Sequence, residues 1–211
     1  MANNKKNTSL GKPMANGMVY VAPSGTALPG DATTALDAAY KSVGFISEDG
    51  ITNSIDTDST TVTDAGGTTV INEISSYAET YQFAMLETQA DALGVRFESA
   101  NVKSADGGKL TVDHKMPTGE SKVYVFEILM TGNKVKRIVV PDGTVSEYGD
   151  TQYHAGDAIV YDVTVAANPS DLIGGATSRE YIAPIAQSAA SSGKTQESAA
   201  AGQPTAEPAS K

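Results

Sequence analysis

The chain has 211 residues, no cysteine and a formal charge of −10 at pH 7. The missing cysteine excludes a disulfide framework, a thiol nucleophile and any Cys-based metal site. The acidity argues against a surface that grips nucleic acid, which needs clustered Lys and Arg. No run approaches the ~20 apolar residues that span a bilayer, and residues 1–10 lack the apolar stretch of a secretory leader. The expectation is a soluble protein made in a reducing cytoplasm.

Lys5, Lys6 and Lys12 give the N-terminal stretch a charge of +3, and residues 186–211 are neutral, so residues 13–185 carry −13. Residues 1–17, polar with Gly11, Pro13 and Gly17, read as an N-terminal arm. A domain is expected over 18–169. Val19 to Ala22 reads as a short strand. Asp31 or Thr33 then caps a predicted helical turn that runs to Tyr40, with Leu36 and Tyr40 on one face. Val43 to Ser47 is a predicted strand, closed by a turn at Glu48-Asp49-Gly50. Residues 56–67, rich in Thr, Asp and Gly, read as a polar loop, and a loop of that length is functional or disordered.

The pattern resumes as strand over 68–75. Over 77–87 it alternates: Tyr77, Glu79, Tyr81, Phe83 and Met85 fall on one face, and Ala78, Thr80, Gln82 and Ala84 on the other. The large face should pack on a core and the small polar face should meet water. Thr88 to Phe97 reads as a helix that covers the aromatic face, with Ala90, Leu93 and Phe97 at helical spacing. After an Asp106-Gly107-Gly108 turn, Lys109 to Asp113 is a strand. Lys122 to Met130 is nearly continuously apolar, which suits a strand buried on both faces. Thr131-Gly132-Asn133 makes a hairpin with Lys134 to Val140, and Pro141-Asp142-Gly143 signals a further turn. Ala158 to Ala166 is the last strand of the domain, with Asp162 and Thr164 on its polar face, and Asn168-Pro169 ends it. Residues 170–185 form a C-terminal arm with apolar anchors Leu172, Ile173, Tyr181 and Ile182. Residues 186–211, mostly Ala, Ser, Gln, Gly and Pro, cannot bury enough apolar area to offset chain entropy and are expected to be flexible. Many strands and one helix make the fold class α+β, mostly β: a sandwich or barrel.

Signals for chemistry are thin. His114 and His154 are far apart, and no Gly-x-Ser-x-Gly elbow or His-Glu-x-x-His motif accompanies them. Asp56-x-Asp58 with Asp64 is the best metal hint, but the glycine and distal glutamate of a calcium loop are absent, and a solvated loop is the plainer reading. Glu48 and Asp49 sit beside Gly50, where acidic turn residues are ordinary. Lys134, Lys136 and Arg137 form the one basic cluster of note, split by alternation across two faces, so pairing with acidic neighbours is expected of it. No catalytic residue, metal site or cofactor is expected.

The ordered series Gly11-Lys12-Pro13, Gly17 to Thr26, Leu28-Pro29, Asp31 to Tyr40 and Gly44 to Ile51 resembles the N-terminal half of major tail tube proteins of long-tailed, non-contractile bacteriophages. With the later strands and Asn168-Pro169, the resemblance extends over about residues 11–185. It implies a tail-tube-type β-sandwich or partial barrel flanked by one α-helix, with extended arms. It also implies a structural virion protein whose hexameric rings stack into a tube that conducts DNA into the host. Partners would be further copies of the chain, a tape measure protein, terminator and tail tip proteins, and double-stranded DNA passing without specific contacts. On that reading Thr80, Gln82 and Asp162 line the lumen, where acidity repels phosphates. Asp56, Asp58, Thr61 and Asp64 lie in a loop reaching neighbouring subunits or rings, and the terminal arms, 1–17 and 170–185, do the same. The alternative is a β-sandwich binding module, immunoglobulin-like or carbohydrate-binding, on a virion or cell surface. A small β-rich hydrolase stands third.

Overall fold

Strand-forming residues dominate the chain between its polar ends, and the computed structural model, which describes residues 3–185, is built from them. The strands are β1 (Gly11–Pro13), β2 (Val19–Pro23), β3 (Lys41–Ser42), β4 (Ile46–Thr63), β5 (Thr69–Met85), β6 (Val102–Ala105), β7 (Lys109–Val112), β8 (Ser121–Met130), β9 (Lys134–Tyr148), β10 (Tyr161–Ala167) and β11 (Arg179–Pro184). One α-helix, α1 (Ala90–Arg96), lies among them. The main sheet runs β3-β2-β8-β9-β10-β5-β4, with β1 added to β8 and β11 to β9, and β6 and β7 form a separate hairpin. The sheet is open and does not close into a barrel. Its two ends are joined through one segment, in which Val43 donates to the Val19 carbonyl and Phe45 accepts from Leu86. Among the described residues no helix is long and apolar enough to cross a membrane.

Period-two alternation sorts the side chains into two cores. One face of the sheet packs Tyr81, Phe83 and Met85 of β5, Tyr124 and Phe126 of β8 and Val163 and Val165 of β10 under Leu93 and Val95 of α1. Tyr81 and Phe126 stack with ring centroids 4.8 Å apart. The opposite face of the β8 region packs Val123, Val125 and Val139 beneath Tyr40, Leu36 and Tyr181. The central strand β8 is therefore buried on both faces, as its continuous apolar run requires. Asp91 in the first turn of α1 and Arg96 in the last oppose the helix dipole favourably. The Arg96 guanidinium also donates to the carbonyls of Asp162 and Gly149, at 2.7 and 2.6 Å, which fixes the helix end over β10.

Four expectations are corrected. The segment 31–40 holds no helix. Asp31 does accept from the backbone amides of Thr33 and Thr34, both at 2.6 Å, but Asp37 then accepts from Ala39 at 2.8 Å. Two successive aspartate-centred turns, with β-branched Thr33 and Thr34 between, divert the backbone hydrogen bonds a helix would use. Leu36 and Tyr40 nonetheless pack on their own domain. Glu48-Asp49-Gly50 is a wide bulge inside β4: Ile46 pairs with Met85 and Ile51 already with Phe83, and Gly50 takes φ 71°. Pro141-Asp142-Gly143 also lies within a strand. There β9 shifts register against β8, flanked by β11 on one side of the shift and by β10 on the other. Proline, lacking an N–H, is tolerated at such an irregularity. The fourth correction, at residues 56–67, concerns the assembly surface below.

At the β9 shift Gly143 admits the core to close contact. A Cβ there would sit 2.5 Å from Tyr124 Cδ2 and 2.9 Å from Val165 Cγ1, both on fully buried side chains. Gly143→Ala is expected to destabilise the fold by about 1–3 kcal/mol through overpacking. In urea titration the midpoint falls while the slope is unchanged.

The terminal segments are partly tied to this sheet. β1 pairs with the end of β8, Gly11 opposite Met130, and Leu10 exchanges hydrogen bonds with Thr131. β11 pairs with β9 from Arg179 opposite Val139 to Pro184 opposite Lys134. Residues 1–2 of the N-terminal arm and the segment expected to be flexible, 186–211, lie outside the described residues.

Candidate assembly surfaces

The segment 56–67 is not a loop. β4 continues to Thr63 and β5 begins at Thr69, and the two pair along their length to make a long hairpin arm. Only 64–68 turns: Asp64 Oδ1 accepts from Gly66 and Thr68, and its amide donates to the Thr68 carbonyl. Thr-rich sequence suits strands, but residues 52–78 are all exposed, so no hydrophobic alternation marks them. Asp56, Asp58 and Thr61 thus sit on β4 and Asp64 in the turn. Asp58 accepts from the Ser76 hydroxyl across the hairpin at 3.0 Å.

The arm extends the core face of the sheet into solvent. Ile55 stands opposite Glu79 and Thr57 opposite Tyr77, in the same alternation as buried Tyr81 and Phe83. Past Asp58 the register shifts by one extra residue on β5, Ser75, which brings Ile74 opposite Ser59 and onto this same face. Ile55, Ile74 and Tyr77 are 54, 71 and 52 % exposed. The reverse face carries Asp56, Asp58 and Glu73. Between Lys41 and Arg96 there is no Lys or Arg, so no base on this stretch offsets the charge of the arm.

At the root of the arm sits Glu79, 6 % exposed. Its carboxylate accepts from the Tyr81 hydroxyl at 2.7 Å, from Asn53 at 3.0 Å, from Ser178 at 3.1 Å and from Thr177. Burial pushes its pKa up, and these hydrogen bonds outweigh burial and hold it below the usual carboxylate value.

Thr80, Gln82 and Asp162 come together as the alternation implied. Ala166 is opposite Thr80 and Thr164 opposite Gln82, so all three candidates lie on the polar face of the β5–β10 pair. Gln82 Nε2 donates to Asp162 Oδ2 at 3.0 Å. Gln82 is exposed, and Thr80 and Asp162 are half-buried. The C-terminal anchors divide. Ile173 is buried and Tyr181 packs on the second core, while Leu172 and Ile182 are 64 and 55 % exposed.

The basic cluster and the two histidines have neighbours within the chain. Arg137 is buried against Glu127, and Lys136 bonds Glu180 at 2.8 Å, so two members of the basic cluster pair within their own subunit. His114 lies on the Phe97 ring, centroids 4.5 Å apart, and His154 is 3.3 Å from Asp157. Among the described residues no three His, Cys, Asp or Glu are grouped to hold a metal ion. The residue that pattern reading missed is Glu79. The signal was present, a lone charge in the middle of an aromatic face, but its partners Thr177 and Ser178 are almost a hundred positions away.

A family model described as phage tail tube protein matches residues 1–171. No curated protein matches the chain. Among solved structures it is similar to the tube-terminating cap of the anti-feeding prophage, 11 % identical, covering 88 % of this chain and 100 % of that one with a TM-score of 0.38. It is also similar to a chain of the sheath-tube complex of an extracellular contractile injection system in its extended state, 9 % identical, covering 82 and 93 % with a TM-score of 0.35. Likeness at that level carries no functional argument.

Proposed function

Because the chain belongs to the phage tail tube protein family, it is a structural component of the virion tail and not an enzyme, and we propose that it builds the tube as hexameric rings that stack on one another. The observation that carries this reading is the β4–β5 arm. A monomer has no use for a hairpin whose Ile55, Ile74 and Tyr77 are left in water on the extension of its core face. A second copy covers that face, and because the arm and the surface it meets differ, the contact is head-to-tail and propagates into a ring. Exposed Leu172 and Ile182 of the C-terminal segment add a second contact between copies. Ile173 and Tyr181 hold that segment to its own subunit.

The polar face with Thr80, Gln82 and Asp162 lines the lumen, and the acidity of residues 13–185 keeps DNA from adhering as it passes. The tube belongs to a non-contractile tail, encloses a tape measure protein during assembly and is closed by terminator and tip proteins. Electron microscopy of the purified protein tests the reading. Rings or tubes about 100 Å wide, the width of six ~150-residue domains around a channel, are expected. A sample that stays monomeric at high concentration sinks the proposal.

A further inference from the structure

We propose that Glu79 is a positioning residue that sets the pose of the hairpin arm, and that it does so by tying the arm's root to the segment that enters β11. Glu79 is the first residue of β5 to pair with β10, standing opposite Ala167, and Thr69 to Ala78 before it pair only with β4. Every residue of that earlier stretch is exposed, so Glu79 marks where the arm leaves the sheet. Its carboxylate joins three chain segments at that point. Asn53 comes from β4, Tyr81 from β5, and Thr177 with Ser178 from the C-terminal segment. The Tyr81 hydroxyl closes the network by donating to Ser178 at 3.1 Å.

An ionised carboxylate buried among neutral donors is an expensive way to fill space. Desolvation of such a group costs several kcal/mol, and an apolar side chain would pack the site without that cost. Among the described residues no Lys, Arg or His lies within ion-pair distance of Glu79. What the carboxylate alone provides is several acceptor positions on one rigid group, enough to hold donors from three segments in one geometry. The arm and the segment leading into β11 are thereby fixed to each other, although neither pairs with the other by backbone. The two elements that expose apolar side chains to neighbours then move as one unit.

Hydrogen exchange on the full-length chain, at a dilution where it is monomeric, tests this without relying on tube assembly. In Glu79→Gln the side-chain shape is kept, but an amide N–H2 now faces hydroxyl donors. Exchange at amides 53–57, 77–80 and 177–180 is expected to rise at least tenfold, while α1 and β8 stay within about twofold of wild type. Thr177→Val, a change outside the arm, is expected to raise exchange at 53–57 by a similar factor. The double variant should go no further than the larger single change, because both break one network. A Thr177→Val chain with wild-type exchange at 53–57 overturns the proposal. So does a Glu79→Gln chain whose exchange rises evenly through α1 and β8, since that is the behaviour of a residue that only stabilises the core. If Glu79→Gln does not fold, the Thr177→Val result decides alone.

Discussion

Replacing residues 57–77 by Asn-Gly leaves a chain that folds and does not assemble. The two-residue turn joins Asp56 to Ala78, which already face each other across the hairpin, and Asn-Gly suits the tight turn such a pair needs. Every residue removed is exposed in the subunit, so thermal stability is expected to change by no more than about 1 kcal/mol. On the proposed reading, assembly loses what the arm would bury against a neighbour. Ile74 and Tyr77 alone contribute about 1.5–3 kcal/mol each once covered, and about 4 kcal/mol corresponds to roughly a thousandfold in association constant. Sedimentation velocity should show monomer at concentrations where the wild-type chain is expected to form rings or tubes. Tubes of normal length from the shortened chain would remove the arm from the account of assembly.

The second large effect is internal. Arg137 and Glu127 are buried together between β8 and β9, with side chains 4 and 9 % exposed. The guanidinium donates to Glu127 Oε1 through Nε at 2.8 Å and Nη2 at 2.5 Å, and through Nη1 to the Asp31 carbonyl at 2.8 Å. Arg137→Met leaves Glu127 as a buried, uncompensated charge and releases the 24–40 segment from its one guanidinium contact. Loss of about 3–5 kcal/mol is expected, which lowers the melting temperature by roughly 10 °C in a chain of this size. Changing both partners, Glu127→Leu with Arg137→Met, should restore most of the loss, since two apolar side chains leave no charge behind. A double variant as unstable as the single would show that the pair's hydrogen bond to Asp31, and not its charge balance, holds the fold.

The parts of this fold visible in the chain were those in which local pattern and burial agree. Tyr81, Phe83 and Met85 alternate because one face of β5 is dry. Lys122 to Met130 is nearly all apolar, Lys122 and Glu127 excepted, because β8 has a core on each side. The arm was invisible for the converse reason. With both faces wet, nothing selects an alternating pattern over 52–78, and Thr and Asp there read as loop. Pro141-Asp142-Gly143 has the composition of a turn, yet pairing with β8 and β10 keeps it in strand. The cap at Asp31 forms, but a second aspartate-centred turn at Asp37 stops a helix from following it. Of the candidate surfaces, the polar face of Thr80, Gln82 and Asp162 was legible through its period of two. The Glu79 network and the Arg137–Glu127 pair were not, because their partners meet only when distant segments fold together.

The root and the faces of the arm differ in the kind of attraction they use. At the root, Glu79 is dry and its donors are neutral, so dissolved ions have little to screen. The faces are wet, and one of them carries unopposed carboxylates whose fields die away within a Debye length of about 8 Å at physiological ionic strength. Ionic strength therefore acts on the charged face of the arm and leaves its mounting alone. In the proposed assembly, added salt changes how strongly subunits meet without changing the shape in which they meet, so each arm stays set for assembly at any ionic strength.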